Sequence, residues 1–208
     1  MEVIHCEQGT DEWIRARMGI PTSSEFATIA AVLKSGKYSA TRRTYLCQLA
    51  GEILTGEPDE NFWSPYTQRG HDLEPEARDL YAFVTGVEPE SVGFIKNNGA
   101  GCSPDSLVGD AGMLEIKTKK AGFLVDIIDK DGFPPEHKAQ CQGALWVAER
   151  EWIDIAVYSP KLPLFIKRAT RDEEFIDAMA DEVARFNEEL AQLVERVRRY
   201  GAPVAEAA

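Results

Sequence analysis

The chain has 208 residues, a formal net charge of −12 at pH 7 and an ordinary apolar content. Its length suits one domain over residues 1–208. The acidic charge argues against a protein that coats nucleic acid nonspecifically, because neutralising phosphates requires lysine and arginine. A nuclease is not excluded, since an enclosed channel can be locally positive. No apolar run is long enough to span a membrane and the first residues lack a signal-like segment, so we expect a cytoplasmic protein without membrane contact.

The predicted elements begin with helices. Thr10 or Asp11 caps a short first helix that ends before Gly19, and Thr22 to Ser24 cap a second helix running through Leu33. Apolar periodicity predicts two longer helices, one from Thr41 to Gly56 and one over Gln68–Val84 with Pro75 inside it. The loop from Phe62 to Gln68, with Trp63 and Tyr66, is equally suited to wedging against a DNA base pair or to burial in the core or a subunit interface.

Strands follow in the second half of the chain. The predicted strands are Val92–Lys96, Cys102–Leu107, Met113–Lys119, Trp152–Tyr158 and Leu164–Arg168. A helix over Glu136–Glu149 separates the third from the fourth, and a long amphipathic helix spans Thr170–Tyr200. This order predicts an α/β (α+β) fold with a short mixed β-sheet flanked by helices.

The four cysteines are dispersed along the chain, at Cys6, Cys47, Cys102 and Cys141. Neither the close spacing of a zinc ribbon nor the clustered cysteines of an iron–sulfur site is present. We therefore expect four buried free thiols.

Two carboxylates and a lysine lie at the spacing of a strand hairpin. Asp105 follows Pro104, a turn with Gly109 comes next, and Glu115 and Lys117 then point to one face of the following strand. Oxygen ligands of this kind suit Mg²⁺, and a lysine beside the metal can hold or activate the attacking water. The pattern is typical of metal-assisted phosphodiester hydrolysis. A turn aspartate followed by a solvated strand face would give the same short motif.

Other polar residues are candidates for the same site. Glu74 could face the sheet end, although a solvated helix charge is the commoner role of such a residue. Gln140 and Gln142 are each either hydrogen-bonded core groups or groups that position water and phosphate. The three histidines are solitary in sequence and receive no role.

Trp13, Arg17, Ser24 and Ser103 form a further candidate cluster. Arginine binds phosphate in a bidentate manner, and a serine near a helix start adds a hydroxyl and a backbone N–H. The alternative is a core tryptophan with a surface ion pair of Arg17.

The chain resembles the lambda-type phage alkaline exonucleases, a viral recombinase family of PD-(D/E)xK nucleases. The resemblance rests on four blocks in the family's order. These are residues 13–25, Gly70 to Tyr81, Cys102 to Asp105 with Leu114 to Lys117, and Ala139 to Val147. It implies a restriction-endonuclease-like core.

The resemblance also implies roles for individual residues. Asp105, Glu115 and the backbone carbonyl of Ile116 would hold metal, with Glu74 at a second metal or its waters. Lys117 would stabilise or activate the water. Gln140 would line the active site. The 5′-phosphate of the DNA end would bind to Arg17, Ser24 and Ser103, with Trp13 beside them.

The activity implied is a processive 5′→3′ exonuclease on double-stranded DNA with a 5′-phosphorylated end. It would need Mg²⁺, with Mn²⁺ as a substitute. It would release 5′-mononucleotides and leave a 3′ single-stranded overhang. A ring-shaped homotrimer and a single-strand annealing protein as partner are implied as well. Two alternatives stay open, a site-specific or structure-specific endonuclease on the same core and a non-catalytic interaction protein.

Overall fold

The computed structural model describes residues 1–33, 35–59 and 65–200. Within the last range, only the backbone of residues 65–71 is described. The strands are β1 (Glu2–Ile4), β2 (Phe94–Asn97), β3 (Ala100–Cys102), β4 (Ser106–Val108), β5 (Gly112–Thr118), β6 (Trp152–Tyr158) and β7 (Phe165–Thr170). The α-helices are α1 (Asp11–Arg17), α2 (Phe26–Ile29), α3 (Ala40–Thr55), α4 (Pro65–Thr85), α5 (Ala121–Lys130), α6 (Lys138–Ala148) and α7 (Glu173–Arg198). Short 3₁₀ turns at Ser23–Glu25 and Pro135–His137 precede α2 and α6.

The larger sheet has four strands in the order β4-β5-β6-β7. β5 pairs antiparallel with β4 and parallel with β6, and β7 is antiparallel to β6. The parallel pair requires a crossover, which α5 and α6 supply. The expected mixed sheet flanked by helices is therefore confirmed, with a fold of the restriction-endonuclease-like kind.

Both faces of β5 are covered by other elements. Because successive side chains of a strand point to opposite faces, the side chains of β5 enter two different cores in turn. Leu114 and Ile116 pack with Ala77 and Tyr81 of α4. Met113 belongs to the other core, together with residues of α2, α3, α6 and α7. Glu115 lies on the Met113 side and is only 4% exposed, which rules out a solvated strand face.

Several local predictions need correction. The predicted strand Cys102–Leu107 is divided, because the backbone leaves β3 at Ser103 and re-enters a different sheet at Ser106. β3 pairs with β2, and β2 pairs with β1, in a separate antiparallel sheet that was not expected. The second helix stops at Ile29, and Leu33 lies outside it with an exposed side chain.

The remaining differences are one helix that was not predicted and shifts in helix boundaries. α5 was not predicted at all, and α7 begins only after Asp172, whose side chain accepts a hydrogen bond from the backbone N–H of Phe175. Thr10 caps α1 as expected. α4 starts at Pro65, so the later part of the expected Phe62–Gln68 loop is helical, while Trp63 lies outside the described residues.

The cysteines are free thiols, but they are not all buried. Cys102 and Cys141 are buried, Cys6 is partly buried and Cys47 is exposed on α3. The expectation of four buried thiols is wrong for Cys47. Within the described part of the chain, no helix is long and apolar enough to cross a membrane.

Candidate active site

The two carboxylates of the motif meet where β4 and β5 begin to separate. The register pairs Ser106 with Leu114, so one further step places Asp105 opposite Glu115. The Asp105 carboxylate accepts a hydrogen bond from the backbone N–H of Ile116. The backbone of Ile116 therefore runs directly beside the two acids, as the hairpin spacing predicted.

Lys117 is paired with Glu115 on the same face of β5. Its Nζ lies 2.7 Å from Glu115 Oε1. Burial alone would lower the pKa of this lysine, but the carboxylates of Glu115 and Asp105 outweigh burial and raise the pKa to about 12. Lys117 is therefore an ammonium ion at working pH, a group that can orient a water or stabilise negative charge.

Gln140 of α6 contacts the same carboxylate oxygen of Glu115 as Lys117. Its Nε2 donates a 2.6 Å hydrogen bond to Glu115 Oε1. Gln142 instead donates to the carbonyl of Thr170 and accepts from the backbone N–H of Asp172. Only one of the two glutamines thus faces the site, and Gln142 is a hydrogen-bonded core group.

A close helix contact brings α6 to this position. At Gly143 a Cβ atom would lie 2.4 Å from the ring of Phe26. A side chain there would push α6 away from the 3₁₀ turn that precedes α2. Glycine at this position therefore keeps Gln140 close to the segment containing Ser23 and Ser24.

Glu74 faces the site and not the solvent. Its carboxylate forms an ion pair with Arg78, one turn later on α4, and its side chain is 21% exposed. Arg78 also donates to the backbone carbonyl of Asp105 and to the hydroxyl of Ser106. Arg78 therefore connects α4 to the start of β4 and holds Glu74 beside Asp105.

Trp13, Arg17 and Ser103 come together beside the carboxylates. The indole N–H of Trp13 donates a 2.8 Å hydrogen bond to the Ser103 hydroxyl. The Arg17 guanidinium lies over the Trp13 ring, 4.3 Å from its centroid. Burial lowers the pKa of Arg17 against the opposing effect of nearby acids, but arginine remains charged at any working pH. The result is a partly desolvated cation beside a hydroxyl.

Thr22 links Ser24 to this group. Its hydroxyl lies 3.2 Å from the Ser24 hydroxyl and accepts a hydrogen bond from Arg17. The backbone N–H of Thr22 donates to the hydroxyl of the buried Tyr45. A bridge between Thr22 and Gly101 then ties this segment to the end of β3, just before Ser103.

Most of these groups line a single cleft. Its volume is about 370 Å³, and its lining includes Arg17, Ser24, Ser103, Asp105, Lys117 and Gln140. Trp13, Glu74 and Ile116 line it as well. The structure therefore brings the nominated site residues together from β5, α1, α4, α6 and the turns before α2 and β4, with Glu115 buried beside the cleft. Gln142 is the exception, since it bonds to Thr170.

Sequence reasoning missed residues that position this site. Gln8 donates hydrogen bonds to the carbonyls of Val92 and Pro104 and so fixes the turn that carries Asp105. Arg78 and Thr22 have the roles described above. Arg78 could have been found from its spacing of four residues from Glu74, which is the spacing of a helical ion pair. Nothing in the sequence distinguishes Gln8.

The donor set fits a divalent cation. Burial, together with the neighbouring Glu115 and Glu74 carboxylates, raises the pKa of Asp105 well above its ordinary value. Such mutual repulsion is relieved when a cation binds between the acids. In the described part of the chain no three acidic, histidine or cysteine side chains form a complete ligand group, and Glu74 is paired with Arg78. Mg²⁺ needs only one or two carboxylates because it retains several waters.

Comparison with known proteins defines the class. The family model described as the YqaJ-like viral recombinase domain matches residues 12–151. The chain belongs to this family, whose nucleases typically use divalent metal ions. No protein among the curated sequences matches the chain.

Solved structures extend the comparison. The chain is similar to an alkaline exonuclease, LHK-Exo from Laribacter hongkongensis, with 34% identity, a TM-score of 0.83 and coverage of 93% of this chain and 98% of that one. The structure of LHK-Exo in complex with dAMP matches at the same identity and coverage, with a TM-score of 0.84. A phage-related exonuclease from Haemophilus somnus 129PT shares the fold at 19% identity, with a TM-score of 0.69 over 86% of this chain and 96% of that one. These similarities support a DNA exonuclease.

Proposed function

We propose that this protein is a Mg²⁺-dependent, processive 5′→3′ exonuclease on double-stranded DNA. It releases 5′-mononucleotides and leaves 3′ single-stranded overhangs for recombination by strand annealing. The observation that carries the proposal is the position of Ser103, which accepts a hydrogen bond from Trp13 and lies two residues before Asp105. The group formed by Trp13, Arg17, Ser24 and Ser103, called the Arg17 pocket below, therefore lies directly beside the carboxylates.

This arrangement favours attack near a DNA end. A terminal 5′-phosphate accepts hydrogen bonds from Arg17, Ser24 and Ser103, and the next phosphodiester then reaches Asp105 and Glu115. The complex of LHK-Exo with dAMP, a nucleoside monophosphate, agrees with a product of this kind.

The other residues of the site bind metal or position the water and the carboxylates. Asp105, Glu115 and the carbonyl of Ile116 hold Mg²⁺, or Mn²⁺ in its place, and Glu74 holds a second ion or its waters. Bound metal supplies the Lewis acidity that polarises the phosphate and lowers the pKa of water. Lys117 orients the attacking water as an ammonium ion, and Gln140 fixes the carboxylate of Glu115.

Further parts of the proposal concern the assembly. Residues 1–208 form one nuclease domain, three copies form a ring around DNA, and a single-strand annealing protein receives the overhang in the bacterial host cytoplasm. Enclosure of DNA by a ring makes digestion processive, because the enzyme cannot dissociate between successive cuts.

The test uses linear duplex DNA with a 5′-phosphate at one end only, labelled on each strand in turn, in Mg²⁺ or EDTA. We expect Mg²⁺-dependent loss of the 5′-phosphorylated strand as mononucleotides while the other strand stays intact. A covalently closed circle serves as the control and should survive. Internal cuts or cleavage of the circle would show an endonuclease, and absence of any hydrolysis would show a binding protein.

A further inference from the structure

A small basic cluster lies on the side of Lys117 away from the Arg17 pocket. The backbone N–H of Lys119 donates a hydrogen bond to the carbonyl of Tyr158 on β6. The pairing of β5 with β6 and the alternation of its side chains therefore continue past Thr118. Lys119 therefore points to the same face as Glu115 and Lys117. On the facing element, His137 lies three residues before Gln140, which is about one helical turn. Gln140 meets Glu115, and His137 lies correspondingly near the two lysines.

His137 has an unsatisfied ring nitrogen. Its Nε2 is buried and has no hydrogen-bond partner within the part of the chain that the structure describes. Burial, reinforced by the ammonium groups of Lys117 and Lys119, lowers the pKa of His137 to about 4 against the opposing effect of Glu136. The imidazole is therefore neutral at working pH, and a buried polar atom of this kind costs free energy until it finds a partner.

Glu136 lies near the His137 ring nitrogen and the Lys119 ammonium but forms a hydrogen bond with neither. Its Oε1 lies 3.9 Å from His137 Nε2 and 3.8 Å from Lys119 Nζ. Both separations are too long for hydrogen bonds. The Glu136 side chain is 52% exposed, so it can swing into solvent at little cost. An anion is thus favoured beside Lys119, and the anion now there satisfies neither nitrogen.

The position of the cluster indicates which anion belongs there. Lys119 follows Lys117 by two residues, which is about 7 Å along the strand, and Lys117 Nζ lies 2.7 Å from the Glu115 carboxylate. This step from the Lys117–Glu115 pair to Lys119 is similar to the distance between consecutive phosphates of one DNA strand. With the terminal phosphate at Arg17 and the next one at Asp105 and Glu115, the following phosphate reaches Lys119. We propose that Lys119 and His137 bind the DNA phosphate that follows the scissile phosphate in the 3′ direction, in place of Glu136.

This proposal rests on the proposed function, because it takes its DNA polarity from the Arg17 pocket. It adds a third point of attachment for the digested strand. Lys119 contributes charge, and the neutral His137 contributes a directional hydrogen bond through Nε2–H. Glu136 competes with DNA for the same place, so its carboxylate weakens binding.

The experiment removes one phosphate charge from the DNA. A short duplex with a 5′-phosphate carries a neutral methylphosphonate between its second and third nucleotides. Binding of this duplex and of the unmodified one is measured in EDTA. The proteins are the full-length wild type, Lys119→Gln, His137→Phe, Glu136→Gln and, as control, Lys130→Gln, which changes an exposed lysine on α5.

For the wild type and Lys130→Gln, we expect the modified duplex to bind about tenfold more weakly than the unmodified one. Lys119→Gln should bind both duplexes with nearly equal, reduced affinity, and His137→Phe should show a smaller penalty than wild type. Glu136→Gln should bind the unmodified duplex more tightly than wild type, a gain that misfolding cannot produce. The proposal would be overturned if the methylphosphonate weakened DNA binding by Lys119→Gln as much as it weakens binding by the wild type. It would also be overturned if Glu136→Gln bound the unmodified duplex no more tightly than the wild type.

A failure of the proposed function is recognised separately. The wild type is tested for Mg²⁺-dependent digestion of the unmodified duplex. If it digests the 5′-phosphorylated strand but binds both duplexes equally in EDTA, only the Lys119–His137 site is wrong. If it digests neither strand, the exonuclease assignment itself is wrong.

Discussion

Replacing Arg17 by Gln should remove the preference of the enzyme for a 5′-phosphorylated end. The guanidinium lies over the Trp13 ring and donates to Thr22 in a partly desolvated position beside Ser103. A hydrogen bond to a charged group contributes about 1.5–3 kcal/mol, and 2 kcal/mol corresponds to a factor of about 30 in affinity or rate. The lost cation–π contact contributes about 2 kcal/mol at a desolvated site, but that loss affects both kinds of DNA end equally.

The assay compares kcat/KM on two duplexes that differ only in a 5′-phosphate or a 5′-hydroxyl. The wild type should prefer the phosphate about 30-fold, and Arg17→Gln should digest both ends at nearly the same low rate. Arg15→Gln is the matched control, because Arg15 is an exposed arginine on the same helix. If Arg17→Gln slowed both ends by the same factor and kept the preference, Arg17 would not bind the terminal phosphate.

Three further variants test the site. Lys117→Ala should abolish hydrolysis while binding of DNA in EDTA survives, and wild-type rates would remove Lys117 from the mechanism. Gln140→Leu removes a charge-assisted hydrogen bond to Glu115 worth about 1.5–3 kcal/mol, so Mg²⁺ titrations of activity should show a higher half-saturating concentration; an unchanged titration would contradict this role. Asp105→Asn should abolish metal-dependent cleavage but stabilise the metal-free protein at alkaline pH. The sign follows from the raised pKa of Asp105. The folded state retains a proton that the unfolded state loses near the ordinary aspartate pKa, so wild-type stability falls as the pH rises between the two values. Thermal unfolding in EDTA from acid to alkaline pH checks this, and a steeper fall in Asp105→Asn would refute it.

Local sequence was enough to predict the centre of the site. Asp105 and Glu115 are ten residues apart, so a tight hairpin alone brings them together, and strand alternation alone sends Lys117 to the face of Glu115. Capping residues likewise fixed the start of α1. These features depend on neighbours in the chain, and for that reason periodicity and turn chemistry describe them well.

Local sequence did not predict α5. Phe123, Leu124 and Val125 are consecutive apolar residues, and a short apolar run of this kind does not distinguish a helix from a strand. In the structure only Leu124 of the three is buried. The division of Cys102–Leu107 between two sheets was equally hidden, because β3 and β4 take their partners from different strands.

The sequence showed which residue types could perform the chemistry, and its four ordered blocks indicated the family. Which of these residues meet depends on the tertiary structure. Gln140 faces Glu115 while Gln142 turns to Thr170, and Trp13 reaches Ser103 across 90 positions of the chain. The burial of the His137 ring nitrogen without a partner in the described part of the chain is likewise a feature of the packing. Contacts between distant segments depend on how whole elements pack, and local propensity carries no information about that packing.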